Sequence, residues 1–373
     1  MFNPNYIYTF IFVVVVAMYQ LGWSNLYPKL TTPLLVFLIA TILINFAFGF
    51  FVNRFNKLRF KIIETKEKNG NSWIVILILL ILWGIDKFFG DIPTIHILLI
   101  TFTSFYSIHV FSRYLREKTK NLFIGFIILF LTVSLLGTFR ILIFFNLITY
   151  LLTYIYIRDP LKSLKGKLVV MGSVISILYI FGYLGNNLKG ESYNDGELIL
   201  TIGEASDGFR ESIVPNEFFW TYLYASSPLA NLELNVEKKN SIEPTLRDTF
   251  LWVNSEFMPD FISGKVFALM NEKPISQMQI NDAMNVSTVY LRSYRYASWL
   301  GLLVMALYIA IFPIIYLSLI KNTKFFIPGL VSLITIYLFL VFDNLFAFSA
   351  ISFQLVYPLL SRIRIFRKKT DGE

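Results

Sequence analysis

The sequence predicts an all-α, polytopic integral membrane protein, with about ten transmembrane helices and one long extracytoplasmic loop containing interfacial helices. Three observations carry this. Hydrophobic residues make up 56% of the chain and charged residues only 15%, whereas a soluble domain is about 25% charged. Mean hydropathy is +0.62. The few charges are bunched, leaving uncharged stretches close to the ~20 residues a helix needs to cross a hydrocarbon core. Thirty-eight phenylalanines and 21 tyrosines suit a chain whose solvent is partly lipid and headgroup. There is no cysteine, which excludes disulfides and thiolate metal sites.

The uncharged stretches are about 6–22, 32–52, 73–86, 92–111, 121–139, 141–157, 168–185, 297–320, 325–342 and 345–361. The third is short, and Asp86 and Lys87 are expected at its outer end. Residues 1–22 have neither a positive n-region nor a small-residue cleavage site, which predicts a retained first helix rather than a removed signal peptide. The organisation is therefore helices 1–7 in 1–185, a large loop in 186–296, and helices 8–10 with a basic tail in 297–373.

Orientation follows from the basic residues of alternate loops. Segments 53–72, 112–120, 158–167, 321–324 and the tail hold 21 of the 33 Lys and Arg residues. The opposite set holds Lys29, Lys87, Arg140 and nine residues of the long loop, whose length gives it little orienting weight. Both termini are predicted cytoplasmic and the loop external. The net charge of +9 is thereby topological, and nucleic acid is excluded as a partner.

Three arginines then stand on the wrong side. Arg292 and Arg295 precede the eighth span in NVSTVYLRSYRYASWLGL (285–302). Arg140, in GTFRILIFFNLITY (137–150), separates two spans with almost no loop. An arginine at such depth marks a functional site by default. The bland readings are snorkelling to headgroups or pairing with Asp86, Asp91 or Asp343.

The 111-residue loop contains two runs expected to lie on the membrane as helices, 217–234 and 248–270, with Pro228 ending or bending the first. Its carboxylates outnumber its basic residues fifteen to nine and read mostly as a solvated face. Walker, GxGxxG and HExxH motifs are missing, and no inverted repeat is apparent. The only histidines, His96 and His109, are 13 residues apart, roughly 20 Å along a helix, so they cannot be a local metal pair. His96 is expected to bond a neighbouring helix.

Four stretches, less than a fifth of the chain, resemble the Wzy-type polymerases of O-antigen and related bacterial polysaccharides. GTFRILIFFNLITY resembles the family's small-residue-x-Arg opening of a span, and FGYLGNNLKG (181–190) the passage into its long loop. FFWTYLYASSPLANLE (218–233) resembles the aromatic segment ending in SPLANL, and NVSTVYLRSYRYASWLGL the Asn-x-Ser-Thr entry to the next span. Lys189 stands where the resemblance leads one to expect an arginine, and RYASWLG where an acidic residue often precedes the glycine.

The resemblance implies a polymerase in the bacterial cytoplasmic membrane that needs no cofactor. It would transfer a polysaccharide from undecaprenyl pyrophosphate to the distal sugar of a lipid-linked repeat unit. Its partners would be those lipid-linked glycans, membrane lipid, a chain-length regulator and a flippase. Negative charge builds on the leaving pyrophosphate, and arginine offers paired donors that match phosphate oxygens. Each charge-assisted bond contributes roughly 1.5–3 kcal/mol net. Two or three would supply a useful part of the ~8–23 kcal/mol that enzymes remove from barriers. Arg140, Arg210, Arg292 and Arg295 are the catalytic candidates. Lys189, Tyr224, Asn231, Asn285, Thr288 and Tyr290 are the substrate-binding ones. Cations supplied by the protein also imply metal independence.

Three alternatives remain. A metal-using membrane glycosyltransferase would show acidic residues in its first outer loop, and 23–31 has none, though Asp86 and Asp91 lie in the second. An O-antigen ligase would use an outer-loop histidine, and 186–296 has none. A flippase or other transporter would not need the long loop.

Overall fold

A computed structural model describes residues 2–56, 69–90, 93–136, 140–187, 196–238 and 244–362. The architecture is all-helical. In chain order the helices are α1 (Pro4–Gln20), α2 (Thr32–Asn56), α3 (Asn69–Phe89), α4 (Pro93–Glu117), α5 (Lys120–Leu136), α6 (Arg140–Arg158) and α7 (Leu164–Asn187). The loop contributes α8 (Gly196–Ile202), α9 (Asp207–Arg210), α10 (Glu217–Lys238), α11 (Leu246–Phe257) and α12 (Asp260–Leu269). The chain closes with α13 (Leu291–Ile320), α14 (Phe326–Phe339), α15 (Ser349–Ser352) and α16 (Val356–Leu360). Among the described residues, the only extended pairing is one isolated bridge, Ser24 to Ala205.

Among the described residues, four helical segments are long and apolar enough to cross a membrane: Thr32–Asn53, Ser72–Phe89, Ile95–Glu117 and Leu291–Ile320. Shorter apolar helices accompany them at Pro4–Gln20, Lys120–Leu135, Leu142–Arg158, Phe326–Phe339 and Ser349–Leu360. Helices of this length and composition are those of a membrane-embedded chain.

The chain forms two compact units. The second comprises Phe51–Asp159, Ile311–Ile336 and Phe348–Glu373. Its axis is α4, whose apolar window is 72% buried against 28% for α3. Small polar side chains tie α4 to its neighbours, as is usual where lipid removes the hydrophobic drive between helices. Ser104 donates to Asn146 (2.5 Å) and accepts from Gln354 (2.9 Å), Ser107 meets Tyr150 (2.6 Å), and Trp83 donates to Thr103 (3.1 Å). His96 bonds Asp86 on α3 at 2.6 Å, the interhelical bond expected for it.

The first unit comprises Met1–Phe50, Pro160–Ala310 and Tyr337–Ala347. The loop after α1 is clipped to the long loop: Trp23 N–H donates to the Tyr222 hydroxyl (3.1 Å), Ser24 to the Gly203 carbonyl (2.6 Å), and Thr31 N–H to Glu233 (2.9 Å). Phe209, Phe219, Trp220, Tyr222, Leu223 and Met284 form the core beneath.

Three local departures from the sequence reading have identifiable causes. Helix α10 runs on through Pro228 to Lys238. Beyond the proline, Asn231 and Asn235 anchor it by bonding the backbone of residues 278–286. The run 248–270 is two helices, because Pro259 holds Met258 extended (φ −98°, ψ 142°). A Thr245–Asp248 capping box starts the first of them. The last predicted span is broken into α15, a 3₁₀ turn and α16. Its predecessor stops at Phe339, where loop backbone claims the following carbonyls: Val289 N–H bonds Leu340 (2.9 Å) and Asp260 N–H bonds Ala347 (2.8 Å).

Helix α13 is itself hinged. Ala297 (φ −125°) and Ser298 (φ 52°, ψ −142°) leave helical geometry, separating a short turn, 291–296, from the apolar span. Ser298 occupies a region that costs a non-glycine residue roughly 1–3 kcal/mol. The hinge folds Ser293 back onto Gly301, where a Cβ would lie 2.1 Å from the Ser293 carbonyl oxygen. Gly301→Ala should therefore destabilise the protein by roughly 1–3 kcal/mol. Gly172→Ala on α7, where a Cβ meets nothing within 4 Å, should be harmless. Thermal unfolding of the detergent-purified variants checks this, and equal midpoints would show that the hinge relaxes freely.

Candidate functional site

The hinged turn 291–296 carries two of the sequence-predicted arginines, and α11 and α12 hold it in place. Trp252 Nε1 donates to Ser293 (3.0 Å), and the Tyr296 hydroxyl accepts from Ile275 N–H (3.0 Å). Leu251, Trp252, Phe267, Tyr296 and Ala297 form one buried apolar cluster.

Arg292 projects from this turn between two carboxylates. Its Nε lies 3.4 Å from Glu256 Oε1, and its Nη2 bonds Asp343 Oδ1. The two carboxylates differ sharply: the Glu256 side chain is 0% exposed, that of Asp343 55%, and Arg292 spans the gap at 30%. Asn344 completes the cluster, donating from Nδ2 to the Glu256 backbone oxygen (2.8 Å) and to Oε2 (3.1 Å). Its N–H meets Asp343 Oδ1 (2.6 Å). Burial pushes the Glu256 carboxyl up to about 7, opposed by Arg292 and assisted by Asp343.

Arg292 and Arg295 are thus not equivalent, although they are neighbours in the sequence. Arg292 is committed to protein carboxylates, while Arg295 lies half-buried on the next turn. Arg210 ends the four-residue α9, exposed, with Nε donating to the Ala205 carbonyl (3.2 Å). Arg140 is the first residue of α6, in the second unit, and is described at its backbone. Two of the three carboxylates named as its bland partners are engaged elsewhere, Asp343 with Arg292 and Asp86 with His96. Asp91 and Lys189 lie outside the described residues.

Tyr224 and Asn285 come together at a cavity of about 40 Å³, lined also by Trp220 and Ser227. That space suits one water rather than a sugar. Asn231 is buried and bonded to the backbone of Met284 (2.7 Å), Val286 (2.6 Å) and Ile280 (2.8 Å), so it sets the loop's course. Thr288 accepts from Tyr290 N–H (3.3 Å) at the start of the hinged turn. Tyr290 is fully buried against the Tyr8 hydroxyl, which in turn meets Thr41 (3.1 Å).

Sequence reasoning missed Glu256 and Asn344, while Asp343 is one of the carboxylates it names as a structural partner for the outer arginines, and for Arg292 that pairing is what forms. The pair Asp343–Asn344 did carry a signal, a charge isolated between two apolar stretches. Glu256 carried none among fifteen loop carboxylates. Glu233 was hidden likewise. It is buried, accepts from Thr31 N–H (2.9 Å), has no donor at Oε1 among the described residues, and is pushed up by burial. No group of three His, Asp or Glu side chains among the described residues is arranged to hold a metal ion. No family model matches this chain, and no curated protein or solved structure matches it either.

The buried carboxyl sets a pH dependence. Glu256 titrates near the ordinary carboxylate value of 4.5 when unfolded and at about 7 when folded. Its contribution is therefore complete below about pH 4.5 and lost as pH rises through about 7, by an amount on the order of 3 kcal/mol. The thermal midpoint should fall between pH 5 and 8, and Glu256→Gln should flatten that slope. An unchanged slope in the variant would assign the effect to other groups.

Proposed function

We propose that this protein is a membrane glycosyltransferase that polymerises undecaprenyl-pyrophosphate-linked repeat units at the outer face of the bacterial cytoplasmic membrane. The observation that carries the reading is the hinged turn 291–296, a polar platform bearing Arg292 and Arg295 at the head of an apolar span. Such a platform sets Arg295, and Arg292 paired with its carboxylates, at the depth where a lipid pyrophosphate sits. The resemblance of four stretches to Wzy-type polymerases supports the same reading, and the long loop is more than a flippase or other transporter needs.

The topology is ten spans: α1 to α7, α13, α14, and the broken segment containing α15 and α16. Two segments expected outside, 23–31 and 343–344, each bond to the long loop within the first unit, which agrees with their lying on one side of the membrane. The cations offered to the leaving pyrophosphate are Arg210 and Arg295 of the first unit; Arg140 and Lys189 are phosphate contacts on the strength of the resemblance alone. Tyr224 and Asn285, which keep exposed surface, are the proposed glycan contacts, and the buried Asn231, Thr288 and Tyr290 hold the loop behind them.

Reporter fusions at Lys66, Lys118, Lys165 and the C-terminus should read cytoplasmic, and one at Asn240 external. A cytoplasmic signal at Asn240 would overturn the orientation.

Arg140 provides the sharper test, because an arginine fork and a lysine point charge differ in what they grip. Arg140→Lys should lower polymer formation severely and Arg140→Ala should abolish it, with membrane abundance near normal. Snorkelling predicts instead that lysine serves as well as arginine. Full-length polymer from both variants would remove Arg140 from the site, and missing protein would identify a structural ion pair.

A further inference from the structure

The strongest unassigned feature is the exposed end of the Arg292 cluster. Asp343 lies in the non-helical turn 340–347, pinned at Leu340 by Val289, at Asn344 by Glu256, and at Ala347 by Asp260. One carboxylate oxygen, Oδ1, receives both the Arg292 guanidinium and the Asn344 N–H (2.6 Å). No donor among the described residues reaches the other, Oδ2, on a side chain 55% exposed. A carboxylate fixed through one oxygen and open at the other has the form of a positioned proton acceptor. Inverting glycoside hydrolases use a carboxylate in that role, taking the proton from the attacking water, and a sugar hydroxyl attacking the same carbon needs the same service.

We infer that Asp343 is the catalytic base for the acceptor sugar, with Arg292 as its positioning residue and Glu256 and Asn344 holding Arg292 and the turn in place. This rests on the polymerase reading above. The acceptor hydroxyl oxygen forms the new bond to the donor's anomeric carbon with its own electron pair. The bond from that carbon to the pyrophosphate oxygen breaks, and its pair leaves on the phosphate. The hydroxyl proton passes to Asp343 Oδ2 and from there to water. The inference gives Arg292 a different task from the other arginines: it orients the base, while they meet the leaving group.

The test uses the full-length protein in liposomes with a lipid-linked repeat unit, reading chain length, turnover, donor-lipid binding and thermal midpoint. Asp343→Asn keeps an oxygen to accept from Arg292 and Asn344 but removes the base. It should lower turnover about 100-fold or more, with donor binding and the thermal midpoint close to wild type. Asp343→Ala should be equally slow and should recover in part when formate supplies a carboxylate. An Asn variant within about ten-fold of wild type, an Ala variant that formate does not rescue, or failure of both to accumulate as folded protein would each overturn the base. Wild-type protein that makes no polymer removes the polymerase reading and the base with it. Wild-type activity beside an active Asn variant removes the base alone.

Discussion

A carboxyl group with no exposed surface must either give up its charge or find a partner, and Glu256 does some of both. Its pKa, raised to about 7, leaves it about half protonated near pH 7, and Arg292 and Asn344 occupy its two oxygens. Those two residues lie 36 and 88 positions away along the chain. Through one buried side chain, α11, the hinged turn of α13 and the turn after α14 are joined. Breaking a pair of this kind by deleting one partner costs far more than the pair itself contributes. The joint is therefore a constraint on geometry before it is a source of stability.

The hinge at Ala297–Ser298 is the counterpart of that joint. Backbone polar groups in lipid need internal partners, so a break in a helix is tolerated only where protein or water meets it. Here the break falls at the end of the apolar span, with Gly301 leaving room for the Ser293 carbonyl and α11 packed alongside. The turn is held by bonds from Trp252 Nε1 to Ser293 and from Ile275 N–H to the Tyr296 hydroxyl. The turn 291–296 is set on the first unit rather than continuing the span's helix.

How much of this is legible in the sequence depends on the range of the interaction. Uncharged stretches mark helices because crossing lipid is a local requirement, and most of them appear within a few residues of their predicted bounds. Proline at 259 breaks a run because its effect reaches one residue back. Proline at 228 does not, because Asn231 and Asn235 hold the helix from outside, through bonds to a segment some fifty residues away. The same applies to the site. Arg292 and Arg295 stand out locally as cations on an unexpected side, but nothing local says that one of them faces Glu256 and Asp343. The sequence marks only 343–344 as the junction of two spans, whereas the turn extends over 340–347, because the backbone donors that shape it come from residues 260 and 289.

Charge accounting narrows what the outer arginines do under the proposed function. The long loop has six more carboxylates than cations, so its average field repels a pyrophosphate rather than attracting it. The Arg292 cluster is neutral with Glu256 protonated and carries one negative charge with it ionised. It adds nothing to attraction at a distance. Salt confines exposed charge interactions to about 8–10 Å in any case. Recognition of the leaving group then depends on short, directional bonds from individual cations once the lipid has been delivered in the plane of the membrane. In that regime the fork of an arginine and the point charge of a lysine are not interchangeable, which makes Lys189, among the proposed phosphate contacts, the one without a second parallel donor.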